Sequence, residues 1–381
     1  RPVACDHNSS MEFMMTDDEW NYLLYCDILQ VQNAPAIEII RDHLIIKNRS
    51  TSINKRKRLK PLRMVAKLLD YIARKLCLTD SYNVLLYKSY FPFNSLMRLN
   101  FKLKQIPRLY FEFEKYIHYE DLNPLMRPGL HEDRNSSKFE NFLMKNIFKD
   151  MPKVYIEGYR DISLYCKKLP EAKVIFTANA HWGDDVFKNW SAQQVENGSK
   201  LIIGEHGGSI PVARSSCLLH EEAICHKKTV WHKLLNHSKH VSMPINKKMK
   251  KVYGLKGTRI TLIGLEFSRY SYRIQLGPQS SLTMDDFEQK TKFINTLSKK
   301  ARINFKIRPY PNMEWLLGSR YADMYGDAIL STNKTMFQDF LQSKMIICSY
   351  PQTTFSEAMH SGVPTILLYT EEYWELHPDY N

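Results

Sequence analysis

At roughly 100–200 residues per domain, the chain's 381 residues make two or three domains, and a content of 44% hydrophobic and 25% charged residues is that of an ordinary globular protein, which excludes a wholly disordered or coiled-coil chain. Fifty-four Lys and Arg against 40 Asp and Glu leave a net charge of +14, which favours acidic partners such as nucleic acid, anionic membrane, nucleotides or acidic sugars without choosing among them. No run reaches the ~18 apolar residues that span a bilayer.

The start of the chain, at Arg1, carries no apolar run of the signal-peptide kind. Asp17 to Tyr25 opens a helix, with Asp17 or Asp18 as its cap. From Lys47 to Lys75 there are eleven Lys and Arg against one acid, Asp70. Within that stretch Leu62, Val65, Leu68, Leu69, Ile72 and Leu76 recur at helical spacing, which predicts an amphipathic helix over 61–78. Its basic face is a solvated surface, a contact with anionic lipid or a contact with nucleic acid.

Residues 84–87 predict a short buried strand, 95–118 helical pieces, and 124–138 a loop. From 151 onward, short apolar runs alternate with helix-like stretches. Strands are expected at 174–178 and 201–203, with a helix from Asp184 to Glu196 between them whose core stripe is Val186, Phe187, Trp190 and Val195. Gly198 falls where a C-cap belongs. This is a βαβ unit with a parallel sheet. A second series has strands at 259–264, 304–308, 328–330, 345–349 and 364–369. Its helices fall at 285–299, at 335–342 with Thr332 or Asn333 as cap, and at 353–360. The Lys-rich stretch 236–257 is the natural linker.

Seven cysteines, an odd number with no CxxC pair, read as reduced, buried thiols of a cytosolic protein with no zinc spacing. The sharpest motif is Gly204-Glu205-His206-Gly207-Gly208, directly after a strand, at the edge where open α/β sheets bind ligands. Glu205 is a candidate base there, and His206 a candidate donor to a carboxylate or phosphate. The motif is neither GxGxxG nor a Walker A loop. The acids and imidazoles of His220-Glu221-Glu222 and His226 are a second cluster, readable as base, nucleophile, orienting group or solvated surface, or as a mononuclear metal site without a clean ligand spacing. Arg269, Arg273, Arg308 and Tyr310 follow strands and suit an anionic, ring-bearing ligand. Ser349, Thr353 and Thr354 lie near a helix start, where exposed N–H groups bind phosphate. Glu357, one turn in, either holds ribose or closes a capping box with Thr354.

These runs together, with Phe176-Thr177-Ala178-Asn179, Arg269 to Arg273 with Gly277-Pro278, Arg308-Pro309-Tyr310-Pro311 and Thr353 through Leu376, resemble a bacterial family of leptospiral-type transferases. The likeness covers roughly 85–377 and is strongest after 173. The resemblance implies a GT-B-like glycosyltransferase of surface-polysaccharide synthesis, related to Kdo transferases that use CMP-Kdo. It implies two Rossmann-like α/β domains facing a cleft, behind a helical basic N-terminal segment: 1–83, then 84–245 on the acceptor side, then 255–381 on the nucleotide-sugar side. The family's glycine loop more often has Gln at the position of Glu205, and its acid after the His-Glu pair falls here on His226. Glu221 is therefore the leading catalytic candidate, with Glu205, His206 and His220 beside it.

Donor binding then falls to Arg269, Arg273, Arg308, Tyr310, Ser349, Thr353, Thr354 and Glu357, and acceptor binding to Asn179, Gly207 and Gly208. No metal or other cofactor is required, because arginines and helix dipoles can hold the leaving phosphate. The partners expected are a nucleotide-sugar donor and a saccharide or lipid-linked acceptor, with peripheral contact to the inner face of an anionic membrane through 47–75 and no nucleic acid. The chain is expected to lack the family's first strand and its C-terminal helices. Other readings stay open: a non-catalytic nucleotide- or sugar-binding protein, an epimerase, or a membrane- or RNA-binding protein.

Overall fold

A computed structural model of the chain describes residues 18–31, 81–105, 123–127, 135–207, 216–231, 238–254, 256–267, 269, 277–279, 281–311 and 315–374. The basic helix expected at 61–78, and with it the segment 47–75, lies outside the described residues, as do Gly208 and Arg273. The chain divides into two compact units, Arg1–Ile203 and Gly204–Asn381.

The first unit runs α1 (Asp18–Val31), β1 (Ser81–Tyr87), α2 (Phe93–Lys102), α3 (Lys138–Asp150), α4 (Tyr159–Cys166), β2 (Glu171–Thr177), α5 (Ala180–Gly183), α6 (Asp185–Glu196) and then β3 (Lys200–Gly204), whose last residue opens the second unit. β1 and β2 are parallel from Ser81↔Glu171 to Tyr87↔Thr177. β2 and β3 are parallel from Val174↔Lys200 to Thr177↔Ile203. The run Val-Ile-Phe in β2 packs on both faces, as parallel strands require. Val186, Phe187 and Trp190 of α6 are each 0% exposed, so the stripe legible in the sequence is the helix's buried face. The Trp190 indole N–H donates to the Pro170 carbonyl at 3.2 Å, which satisfies its one polar atom. Asp184 accepts from the Phe187 N–H at 3.0 Å and so caps α6. Gly198, at φ 97°, closes the far end.

A buried arginine fastens the C-terminus of α3. Arg127 donates from Nε to Glu157 Oε1 at 2.6 Å and from Nη2 to Oε2 at 2.5 Å. Its Nη1 donates to the carbonyls of Phe148 at 2.6 Å and Met151 at 2.9 Å. Orphan carbonyls at a helix end and a buried carboxylate are satisfied by one fork-shaped group. At its other end α3 starts with a Ser137–Glu140 capping box.

The second unit runs α7 (Ser216–Ile224), β4 (Lys227–Val230), β5 (His240–Ser242), β6 (Arg259–Ile263), α8 (Leu282–Thr296), α9 (Lys299–Ile303), β7 (Phe305–Arg308), α10 (Leu317–Tyr325), α11 (Met336–Gln342), β8 (Ser343–Cys348), α12 (Thr353–Ser361) and β9 (Thr365–Leu367). The order of the first sheet is β1-β2-β3-β4-β5 and that of the second is β7-β6-β8-β9. All paired strands of the second sheet are parallel. Leu262, Ile307 and Ile347 form one buried layer with Phe287 and Ile294 of α8 and Tyr321 of α10. Ile263, Ile346 and Cys348 form the other with Phe340 of α11 and Ala358 of α12. Helices cover both faces, which makes this a doubly wound sheet.

Four local expectations change. The expected helix 285–299 ends at Thr296, and Ser298 then caps a separate turn of helix, α9, by accepting from the Ala301 N–H. Residues 327–329 form a 3-10 turn rather than a strand, leaving a lone bridge from Ile307 to Leu330. α11 is capped by Thr335 in a box with Gln338, not by Thr332 or Asn333. The supposed linker contains β5, a half-exposed edge strand, which needs no apolar run to be recruited. The four cysteines with described side chains, Cys26, Cys166, Cys225 and Cys348, are buried and free. Burial pushes the thiols of Cys166 and Cys348 up to about 12, so both stay protonated.

Candidate functional site

In the first sheet the spatial order follows the chain order. In the second it reverses: β6 lies between β7 and β8. The crevice outside the carboxyl ends of the strands where such an order reverses is the usual ligand position in open α/β sheets. Register places Ile263 level with Arg308 on one side and Cys348 on the other. Arg308, Ser349 and the start of α12 therefore share one edge.

Arg308 Nη1 donates to Asp339 Oδ2 at 2.6 Å and to the Asn333 carbonyl at 3.0 Å. Asp339 is 2% exposed and also accepts from Ser331 and Asn333. The guanidinium is thus aimed by a buried carboxylate. Among the described residues its Nε and Nη2 form no hydrogen bond. Ser349 is buried and gives its hydroxyl hydrogen to the Ile263 carbonyl at 2.8 Å, so it binds the strands together at the edge. Thr353 is the first residue of α12, and Gln352 precedes it without a side-chain cap. The Thr354 hydroxyl pairs with the Tyr350 hydroxyl at 2.7 Å. Burial pushes the Tyr350 phenol up to about 12. The Thr354–Glu357 capping box does not form: Glu357 pairs with Lys247 instead. Tyr310 is exposed. Arg269 is exposed with its guanidinium carbon 5.6 Å from the Trp315 ring, and the Trp315 N–H is held by the buried Glu266 at 2.9 Å. Gly277, at φ 121°, has Phe267 and Trp374 so close that a Cβ would lie 2.6 and 2.8 Å from their rings, so this position requires glycine.

The glycine loop holds a buried carboxylate. Glu205 is 0% exposed. Its N–H donates to the Thr229 carbonyl at 2.8 Å, and its Oε2 accepts from the Trp231 N–H at 2.5 Å. The Trp231 indole in turn donates to the buried Asn246 at 3.2 Å. In this arrangement the Glu205 carboxylate fastens the end of β4. His206 is half-buried and Gly207 buried.

Glu221 on α7 is 2% exposed and lies 2.6 Å from the ammonium of Lys228 on β4, itself 0% exposed. The leading catalytic candidate of the sequence is therefore one half of a buried ion pair. His220, beside it, points outward and is exposed. Glu222 pairs with His240 at 2.8 Å. The sequence shows the His-Glu adjacency; it does not show which side of α7 meets Lys228.

In the first unit Asn179 precedes α5, and its Nδ2 donates to the Tyr90 hydroxyl at 2.8 Å. Here the structure adds residues the sequence did not single out. Tyr87 and Lys88, at the end of β1, both donate to Asp184 Oδ2, at 2.7 and 3.1 Å. Lys88 and Tyr90 have left-handed backbones, with φ 45° and 61°. Each such non-glycine conformation costs of order 1–3 kcal/mol and persists where the surroundings enforce it. The Ala178 N–H, donating to the Lys88 carbonyl at 3.1 Å, is part of that enforcement. At the start of α6, Asp185 accepts from Tyr155 at 2.6 Å and pairs with Lys188 at 3.2 Å, on the wall of a 270 Å³ surface pocket.

Among the described residues no group of three or more His, Cys, Asp or Glu is placed to hold a metal ion, and no helix is long and apolar enough to cross a membrane. No curated protein matches the chain. A crystal structure of MurG from Acinetobacter baumannii aligns with 79% of this chain and 74% of its own at 12% identity and a TM-score of 0.33, a likeness too weak to carry an argument. The sequence itself decides the family: the model of the LIC12162 family transferases matches residues 3–381, and the chain belongs to that family.

Proposed function

We propose that this transferase moves a sugar from a nucleotide donor to a saccharide or lipid-linked acceptor. The observation that carries the donor side is the reversal of strand order in the second sheet, with Arg308 and the start of α12 at the edge where it occurs. A diphosphate or monophosphate leaving group there meets the Arg308 guanidinium, aimed by Asp339, and the N–H groups of the first turn of α12. Arg269 and Tyr310 are exposed and close the ring-binding side. Glu357 takes ribose hydroxyls through a carboxylate that Lys247 orients.

Stabilisation of the leaving phosphate by fixed cations and dipoles needs no metal. A CMP-linked acidic sugar of the Kdo type fits the net positive charge. The acceptor lies at the edge of β1 and β2 around Asn179. The segment 47–75 supplies contact with the anionic inner face of a membrane.

Arg308→Ala tests the donor assignment. The variant should bind nucleotide more weakly by about 1.5–3 kcal/mol, the scale of a hydrogen bond to a charged group. Titration calorimetry with CMP, UDP and GDP measures this, with circular dichroism as the check on folding. An unchanged affinity in a folded variant removes Arg308 from the site.

A further inference from the structure

We infer that the loop following β1 forms a subsite for a neutral sugar ring, built by Lys88, Tyr90 and Asn179. It deepens the proposed acceptor side and rests on that reading.

Three groups of different chemistry meet at one sheet edge. The Lys88 side chain is 43% exposed while its ammonium is held 3.1 Å from Asp184, a residue 4% exposed. Asp184 is fixed in turn by the Tyr87 hydroxyl and the Phe187 N–H. An ammonium has three hydrogens, and Asp184 takes one. Asn179 is anchored by its amide N–H on the Tyr90 hydroxyl. Its Oδ1 is buried and, among the described residues, accepts no hydrogen bond. That carbonyl wants a donor, and a sugar hydroxyl is one. Tyr90 is 45% exposed, and the next residue is locked by the stack of Phe91 on Phe176 at 5.3 Å. Its ring is a platform for the apolar face of a pyranose.

Charge decides the class of ligand. Asp184 neutralises Lys88, and Asp185 beside it pairs with Lys188. The edge carries donors and an acceptor but no net charge from these pairs, so it reads hydroxyls rather than a carboxylate or phosphate. The left-handed backbones at Lys88 and Tyr90 hold this constellation before the ligand arrives, which is how a weakly binding sugar is recognised without an ordering cost.

Saturation-transfer NMR on the full chain tests the inference, with neutral gluco-, galacto- and manno-configured trisaccharides as probes and a glucuronate-bearing trisaccharide as comparison. At least one neutral probe should bind, with an affinity that does not change with salt. Lys88→Met and Asn179→Ala should each weaken it at least ~5-fold, and Lys88→Arg should keep part of the affinity. Asn179→Ala removes no charge, so it keeps the test valid if Lys88→Met fails to fold. Binding of no neutral probe, unchanged binding in both folded variants, or tighter, salt-sensitive binding of the uronate would overturn the inference. Nucleotide titration of the same variants reads the donor side separately. Loss of sugar binding with nucleotide binding intact is the expected pattern, and a chain that binds sugar but no nucleotide fails the donor proposal alone.

Discussion

Lys228→Met should destabilise the unit Gly204–Asn381 by about 3–5 kcal/mol, the cost of leaving a buried charge without its partner. Lys228 is 0% exposed, Glu221 is 2% exposed, and 2.6 Å separates them. Glu221→Gln should cost nearly as much, because it strands the ammonium. The double variant Glu221→Leu with Lys228→Met should recover most of the loss, since two apolar groups of similar volume need no pairing. Urea denaturation of the four proteins gives the coupling directly. Single variants that lose less than ~1 kcal/mol, or a double variant whose loss is the sum of the singles, would contradict the pair. Turnover of the Glu221→Gln protein, measured beside its stability, tests the catalytic reading of Glu221. The sequence alone expects a folded Glu221→Gln protein with turnover reduced at least ~10²-fold. The structure expects a destabilised one.

Glu157→Gln should cost about 3 kcal/mol at neutral pH. The Arg127 guanidinium beside Glu157 holds its carboxyl down to about 2, from an ordinary 4.5. A shift of that size corresponds to about 3 kcal/mol at ~1.4 kcal/mol per pH unit. The folded state binds this proton less readily than the unfolded chain. The stabilisation is therefore complete above the unfolded value near 4.5 and is lost as pH falls toward about 2. Thermal melts of the wild-type chain between pH 3 and 6 should fall more steeply than those of the Gln variant. Parallel curves would mean that the Arg127 staple contributes nothing to the pH dependence.

The fold is legible where one residue pattern admits one structure. The apolar runs of β2, β3, β6 and β8 are short, flanked by turn residues and separated by helical stripes, and that combination specifies a parallel sheet. Boundaries are less legible because caps compete: Thr332, Asn333 and Thr335 are all good N-caps, and only the reach of Gln338 back to Thr335 decides between them. β5 is hidden because an edge strand is recruited by hydrogen bonds that any sequence can supply. The site is harder still. The burial of Glu221 and Glu205 is not legible, because nothing in their neighbourhood names the buried Lys228 or the backbone of Trp231 as their partners. Lys88 and Asp184 are 96 residues apart in the chain, and each is unremarkable alone. Only the parallel pairing of β1 with β2 brings their loops to one edge.

Transfer of a sugar from a nucleotide donor leaves two products that can be weighed. Mass spectrometry of a reaction holding the full chain, a CMP-, UDP- or GDP-linked sugar and a neutral oligosaccharide acceptor tests it in one step. The acceptor should become heavier by one sugar residue, free nucleotide should be released in equal amount, and both products should be lost in Arg308→Ala. Nucleotide that binds without any gain in acceptor mass across all three donors, or a donor sugar epimerised with no acceptor present, would contradict it.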